Sequence, residues 1–114
     1  MKRLSQLELK ENEEMAIQEL KERILERFPR SEFILYGSMA RGDYEEFSDI
    51  DILILLPLEV DNKLKKEIVG LAFDIELEYD VVFGLLIKSK HFWNSSLSKA
   101  MPIHWNVDRE GVRI

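Results

Sequence analysis

Apolar residues recur at helical spacing in two long segments of the chain. The first segment runs from Ser5, which together with Glu8 is typical of a helix capping box, to about Pro29. Its apolar positions are Ile17, Leu20, Ile24 and Phe28. The second segment begins after Asp61 or Asn62 as its N-cap. Its apolar positions are Leu64, Ile68, Leu71, Ile75 and Tyr79, so both segments are predicted to be amphipathic helices.

Shorter apolar runs indicate strands. The run from Phe33 to Tyr36 ends at a glycine, and the run "SDIDILILLP" alternates at its start, becomes wholly apolar and stops at Pro57. Between them, "SMARGDYEEF" predicts a short helical turn and a polar loop, broken at Gly42. A third strand is predicted at "VVFGLLI", a third helix at "SKHFWNSSLSKA" and a short last strand at "GVRI". This alternation predicts an α/β fold of two or three layers.

The length and composition add limits to this picture. With 114 residues, 46% of them hydrophobic, the chain can bury one core and is too short for two ordinary domains, so residues 1–114 are expected to form a single domain. The absence of cysteine excludes disulfides, a thiolate nucleophile and thiolate-bound zinc, and it suits a reducing cytosol. No segment approaches the ~20 apolar residues of a membrane span. A cytoplasmic protein with no membrane association is therefore expected.

The aromatic and histidine residues near the end of the chain suggest structural roles. Phe92, Trp93 and Trp105 are interpreted as core residues. His91 and His104 lack the spaced partners of a zinc site, so they are predicted to be surface or hydrogen-bonded histidines.

The net charge is −6, with 22 acidic against 16 basic residues, which argues against broad binding to a nucleic-acid backbone. Acidic residues gathered at one site could instead hold divalent cations, which attract phosphates. Asp49 and Asp51 are the strongest candidates, because alternate residues of a strand point to one side while Ile50 and Ile52 point to the other. Two such carboxylates repel unless a cation such as Mg²⁺ neutralises them. The simpler alternative is that both acids solvate a strand end.

The pair Gly37 and Ser38 follows a predicted strand. A glycine there lets the backbone approach a ligand, the amides of a following helix favour phosphate oxygens, and a serine adds a hydroxyl donor. A tight turn with Ser38 as helix N-cap is the alternative. The loop has neither the P-loop sequence nor the dinucleotide fingerprint.

The combined pattern of Gly37 and Ser38, ten further residues, and Asp49-x-Asp51 resembles the signature of the polymerase-beta-like nucleotidyltransferases. The segment "GSMARGDYEEFSDIDIL" is similar to the corresponding segment in the minimal nucleotidyltransferase branch of that superfamily. The similarity extends over nearly the whole chain. The resemblance implies a palm-like nucleotidyltransferase fold, which is a small mixed β-sheet packed by helices.

The resemblance also implies roles for individual residues. Gly37 and Ser38 would hold the nucleotide triphosphate, and Asp49 and Asp51 would bind Mg²⁺ or Mn²⁺, with Asp49 also near the nucleotide. Arg41 matches an arginine of the motif and could pair with a phosphate or with Asp43 and Glu45 in its own loop. The implied reaction is attack of an acceptor hydroxyl on the α-phosphorus of ATP, with pyrophosphate leaving.

The chain departs from the family pattern at the third carboxylate, which a neighbouring strand normally supplies. That position falls at Gly84 or Val82, and neither can ligate a metal. Asp80 is the nearest substitute, whereas Asp74, Glu76 and Glu78 are assigned to the preceding helix. Without a third ligand the protein could bind ATP and Mg²⁺ yet transfer slowly, since loss of one transition-state contact often costs ~10² to 10³ in rate.

The resemblance further implies a partner. Minimal members often act as antitoxins of small helical HEPN-domain toxins, and some add AMP to a tyrosine of the toxin. We therefore expect an adenylyltransferase antitoxin of a HEPN-domain protein. Two alternatives stay open: a catalytically impaired ATP-binding or steric antitoxin module, and a small-molecule adenylyltransferase of the antibiotic-modifying type, which would need a homodimer to build its acceptor pocket.

Overall fold

The computed structural model describes residues 2–3, 7, 9–43 and 48–114. The predicted capping box of Ser5 and Glu8 and the proposed partner Glu45 lie outside these residues. Within them the strands are β1 (Lys2–Arg3), β2 (Glu32–Tyr36), β3 (Ile50–Leu56), β4 (Phe83–Ser89) and β5 (Val112–Arg113). The helices are α1 (Glu11–Arg27), α2 (Gly37–Arg41), α3 (Asn62–Tyr79), α4 (Lys90–Trp93), α5 (Ser96–Lys99) and α6 (Pro102–Glu110). None of these described helices has the length and apolar character that crossing a membrane requires.

At the start of each long helix a carboxylate accepts a hydrogen bond from a backbone N–H group. The backbone N–H of Lys10 donates to the Glu13 carboxylate at 2.8 Å, so α1 begins at Glu11, later than the predicted start at Ser5. Acidic residues fill its first turn, where the helix dipole favours them. The Asp61 carboxylate accepts the Leu64 N–H at 2.8 Å and caps α3, as predicted.

The strands form one mixed sheet in the order β1-β5-β2-β3-β4. Strand β2 pairs antiparallel with β3 and β5, whereas β3 pairs parallel with β4 and β1 parallel with β5. The pairing places Asp51 opposite Tyr36 on one side and opposite Gly84 on the other. The expected mixed sheet is therefore confirmed. Its register brings the Gly37-Ser38 pair close to the Asp49-x-Asp51 motif.

Helices cover both faces of this sheet, which gives three layers. On one face α1 and α3 pack against the buried side chains of Ile50, Ile52 and Ile54. On the other face Trp93 of α4 and Val107 of α6 pack against Leu53 and Leu55. Because side chains alternate along β3, Asp51 shares the face that α6 covers.

The segment after β4 differs from the prediction. The single helix expected over residues 89–100 is two short helices, because the Ser89 and Ser95 hydroxyls each accept an amide hydrogen bond and start a new turn. Helix α6 was not predicted. Trp105 lies on its outer side with 65% exposure and stacks with Arg109, so its interpretation as a core residue is wrong.

The interpretation of Trp93 as a core residue is confirmed, whereas Phe92 is only partly buried and carries the Lys88 ammonium over its ring. Trp93 is buried and stacks on the His104 ring, with 4.2 Å between the ring centroids. His104 is itself buried and contacts the Trp93 carbonyl and the Asp108 carboxylate through its two ring nitrogens. It is a hydrogen-bonded structural histidine, as expected, and it fixes α6 against α4.

Candidate active site

The turn between β2 and α2 depends on Gly37. This residue has φ of 77°, in the left-handed region that residues with a Cβ rarely adopt, so the chain can leave the strand and enter the helix at once. Helix α2 is a single turn that carries Ser38 second and Arg41 last, and Gly42 ends it with φ of 83°. The sequence therefore presents Ser38 and Arg41 on one short turn at the edge of the sheet.

The predicted carboxylate pair lies at the start of β3. Asp51 is within the strand and half-buried, and Asp49 directly precedes the strand and is exposed. Burial raises the pKa of the Asp51 carboxyl, and the negative charge of Asp49 raises this pKa further. Arg41 opposes the shift, and Glu110 adds to it. The charges of Asp49, Arg41 and Glu110 therefore all act on the Asp51 carboxylate.

Two glycines flank the Asp51 side chain. A Cβ added at Gly37 would collide with Asp51 Oδ2, and a Cβ added at Gly84 would collide with Asp51 Oδ1. The added Gly84 Cβ would also lie 3.9 Å from the Asp49 Cβ. The sequence identified Gly84 only as the position of a missing acid. The structure shows that the absence of a side chain there leaves room for the Asp51 carboxylate.

Arg41 makes two kinds of carboxylate contact. Its Nη1 donates to both oxygens of Glu110, at 3.2 Å and 3.1 Å, and its Nε donates to Asp43 Oδ2 at 3.3 Å. The hydrogen bond to Glu110, followed by the one to Asp43, raises the pKa of the Arg41 guanidinium. The expected pairing with Asp43 is therefore present.

Sequence reasoning missed Glu110. This residue ends α6, and its Oε1 also accepts the backbone N–H of Gly37 at 3.2 Å. The Glu110 side chain is only 13% exposed. Because α6 was not predicted, no pattern indicated that an acid 73 residues from Gly37 would reach the site.

Asp80 lies in the connection between α3 and β4. It follows α3 with φ of 56° and lines a cavity of about 240 Å³ with Lys10, Ser48 and Ile50, among others. The described residues contain no group of three or more His, Asp or Glu side chains arranged to hold a metal ion. A metal-binding role for Asp80 therefore stays a prediction.

The three other acids considered beside Asp80 belong to α3, as predicted from the sequence. They are Asp74, Glu76 and Glu78. The Glu76 carboxylate accepts the Phe83 N–H at 2.9 Å, so it supports the start of β4.

The donor set of the site suits a divalent cation bound together with a polyphosphate. Two adjacent carboxylates supply the oxygen ligands that Mg²⁺ prefers, and Mg²⁺ usually takes its remaining ligands from water and substrate phosphates. Arg41 and the Ser38 hydroxyl lie on the neighbouring turn, and both can donate hydrogen bonds to phosphate oxygens. Chemically, the arrangement can hold and neutralise a nucleotide triphosphate.

Comparison with known proteins agrees with this chemistry. A family model described as "Nucleotidyltransferase domain" matches residues 17–104. A protein of Methanocaldococcus jannaschii named "Putative protein adenylyltransferase MJ0604" is 35% identical over 102 residues, which are 88% of this chain and 95% of that protein. A second protein of the same organism, "Putative protein adenylyltransferase MJ0141", is 44% identical over 57 residues, which are 50% of this chain and 58% of that protein.

Two solved structures share the fold. One is a crystal structure of a toxin-antitoxin with AMP-PNP, which matches with a TM-score of 0.59 and 22% identity over 88% of this chain and 70% of that chain. The other is a crystal structure of a mutant of the toxin-antitoxin MntA-HpeT, with a TM-score of 0.57 and 22% identity over 94% of this chain and 72% of that chain. The expected fold is thereby confirmed.

Proposed function

This chain belongs to the nucleotidyltransferase domain family, and we propose that it transfers AMP from ATP to an acceptor hydroxyl with Mg²⁺ or Mn²⁺. In this reaction the acceptor oxygen bonds to the α-phosphorus, the bond from that phosphorus to the bridging oxygen of pyrophosphate breaks, and pyrophosphate leaves. The proton of the acceptor hydroxyl passes to solvent. Most of the acceleration in such transfers comes from positioning and charge stabilisation.

The position of the Asp51 carboxylate carries this proposal. Its two oxygens lie beside Gly37 and Gly84, and the charge of Asp49 acts on the same carboxylate. Asp49 and Asp51 would hold the cation, which when bound neutralises charge on the phosphates and polarises the reacting phosphorus. Ser38 and Arg41 would bind the phosphates that leave as pyrophosphate. The Ser38 hydroxyl lies on the same turn as Arg41 and can donate to a phosphate oxygen.

The acceptor we propose is a hydroxyl on a protein partner, specifically a HEPN-domain toxin. Two observations support a protein acceptor. The first M. jannaschii relative carries the name of a protein adenylyltransferase, and the structures that share the fold are toxin-antitoxin complexes. This protein would then act as an antitoxin that modifies its toxin.

The direct test is to incubate the purified chain and a HEPN-domain partner with ATP and Mg²⁺ or Mn²⁺, and to measure the intact mass of both proteins. We expect the partner to gain the mass of AMP. The Asp49→Asn, Asp51→Asn double variant should abolish this gain because it removes both proposed metal ligands. The matched control is Glu67→Gln, which removes a carboxylate from a surface ion pair with Arg27 and should leave transfer intact.

A second candidate function is antitoxin activity by binding without transfer. The observation that favours it is Gly84 at the position where the family pattern has a third carboxylate. Toxin neutralisation distinguishes the two functions. Neutralisation that persists in the Asp49→Asn, Asp51→Asn double variant, with no AMP on the partner, would support binding alone and contradict the proposed transfer.

A further inference from the structure

We propose that Glu110 is a positioning residue of the nucleotide site, which holds the start and the end of α2 in the arrangement that receives the triphosphate. This inference rests on the proposed function, and it adds a residue from α6 to a site that the sequence motifs place on β2, α2 and β3. Glu110 would act through Gly37 and Arg41, without touching the reacting atoms.

The contacts of Glu110 join the two ends of one helical turn. Its Oε1 accepts the Gly37 N–H at 3.2 Å, at the first residue of α2. The same carboxylate accepts Nη1 of Arg41, the last residue of α2, through both oxygens at 3.2 Å and 3.1 Å. Only 13% of the Glu110 side chain is exposed, against 46% for Arg41, so the carboxylate lies between the turn and α6.

A single helical turn needs such support. Helix α2 has five residues, and isolated helices of that length are unstable because the first turn of a helix costs more chain entropy than its few hydrogen bonds return. The first amides of a helix also lack partners within the helix. The Glu110 carboxylate provides one for Gly37, and its charge suits the N-terminal end of the turn.

Glu110 itself is held by a well-packed element. In α6, Val107 is fully buried and His104 is 6% exposed and stacked on Trp93. The position of the carboxylate is therefore fixed by packing on the sheet face that also carries Asp51. Through Glu110, the orientation of α2 depends on the docking of α6.

The contact leaves Arg41 able to bind an anion. A guanidinium has five N–H donors, and in the described part of the chain Arg41 uses Nη1 toward Glu110 and Nε toward Asp43. Donors therefore remain for a phosphate oxygen while Glu110 restricts the rotamers of the side chain. Restricting them before binding lowers the entropy cost of binding.

The test measures ATP affinity in the presence of Mg²⁺ by calorimetry. We expect Glu110→Gln to weaken binding about tenfold, which is about 1.4 kcal/mol, because the neutral amide holds the Arg41 guanidinium less firmly than the carboxylate does. In an Arg41→Ala background the same substitution should change the affinity less than about twofold, because Glu110 acts largely through Arg41. Glu67→Gln, which breaks an exposed ion pair elsewhere, is the control.

A ligand-free measurement separates this inference from the proposed function. Hydrogen exchange of the Gly37 amide should be about tenfold faster in Glu110→Ala than in the wild type, with little change in the unfolding midpoint. If the wild type does not bind ATP, the proposed function fails and the nucleotide role of Glu110 fails with it. The exchange result then still shows whether Glu110 secures the turn.

Two results would overturn the inference while leaving the proposed function intact. One is wild-type ATP binding with no change in affinity in Glu110→Gln. The other is tighter ATP binding in Glu110→Gln, which would mean that the Glu110 carboxylate competes with phosphate for Gly37 and Arg41.

Discussion

The Asp51 carboxylate has an unfavourable environment in the absence of a cation. Burial and the charge of Asp49 both favour its protonated form and raise its pKa. When Asp51 is ionised, the native state holds a charge that it disfavours more than the unfolded chain does. The ionised Asp51 therefore lowers the free energy of unfolding, and a bound cation would offset this cost.

We predict that Asp51→Asn raises the free energy of unfolding at about pH 7 by about 0.5–1 kcal/mol, a modest gain because solvent screens a half-exposed group. The gain should shrink as the pH falls through the raised pKa of Asp51, since protonation removes the same charge from the wild type. Urea unfolding in EDTA at several pH values measures it. A loss of stability at neutral pH in this variant would contradict the electrostatic account.

Gly84 gives a second prediction at the residue scale. A methyl group in Gly84→Ala would collide with Asp51 Oδ1, which is the end of a side chain and can rotate away. We expect the Mg²⁺-dependent affinity for ATP to fall about tenfold or more, because the displaced Asp51 carboxylate would no longer be placed to bind the cation. The free energy of unfolding should change little. Titration calorimetry checks the affinity.

Gly70→Ala is the matched control for Gly84→Ala. An added Cβ at Gly70, which is inside α3, meets no atom within 4 Å. This variant should gain about 0.5–1 kcal/mol of stability from helix propensity and keep its ATP affinity. Equal ATP affinity in both glycine variants would show that Gly84 does not support the position of Asp51.

Much of the candidate site follows from local sequence, because its main residues lie within one strand-turn-strand segment. Gly37 follows Tyr36, which pairs with Asp51 on the neighbouring strand, so the two motifs meet where β2 ends. Glu110 could not be found in this way, since its contacts span 73 residues and depend on how α6 packs. The role of Gly84 also needed the register of β3 with β4.

At the scale of elements, the long periodic helices were predictable and the short helices after β4 were not. Helices α1 and α3 have repeated apolar positions that face one core. Helix α6 has only nine residues, and its fully buried apolar residue is Val107, while Trp105 points outward. So short a segment offers few apolar positions from which a helix can be recognised, and its helical state depends on packing against the sheet and on Trp93.

Glu32 links three elements and gives a prediction at this scale. Its carboxylate contacts Arg113 of β5 at 2.8 Å and Lys90 of α4 at 3.4 Å. Burial alone would raise the pKa of Glu32, but the hydrogen bonds from Arg113 and Lys90 outweigh burial and lower it. A lowered pKa means that the ionised form stabilises the native state at neutral pH.

We therefore expect Glu32→Gln to lower the free energy of unfolding at about pH 7 by about 0.5–1 kcal/mol. This loss is modest because Glu32 and its two partners are partly exposed and solvent screens their charges. The difference from the wild type should decrease as the pH falls below the ordinary range of glutamate and vanish below the lowered pKa, where Glu32 is protonated in the native and the unfolded state alike. Thermal unfolding across this range measures the effect. A loss of stability in Glu32→Gln that is the same at every pH would contradict the prediction.

The net charge of −6 acts at the scale of the whole molecule. ATP is also strongly anionic, so without a cation the protein and the nucleotide repel each other. We predict that EDTA lowers ATP affinity at least about tenfold, and that added salt then strengthens the residual binding because it screens repulsion. Titrations with EDTA and increasing KCl measure both effects. ATP affinity that is unaffected by EDTA would contradict a metal site at Asp49 and Asp51.

The antiparallel pairing of β2 with β3 has a consequence for the order in which the molecule folds. It joins Tyr36 and Asp51 across about fifteen residues, whereas the contact between Gly37 and Glu110 closes a loop of 73 residues. The longer closure costs about 1.4 kcal/mol more chain entropy. We expect the strand pairing that brings the two motifs together to form early and the docking of α6 to follow. The restraint on Arg41 is then the last part of the site to assemble and the first to be lost when α6 opens locally.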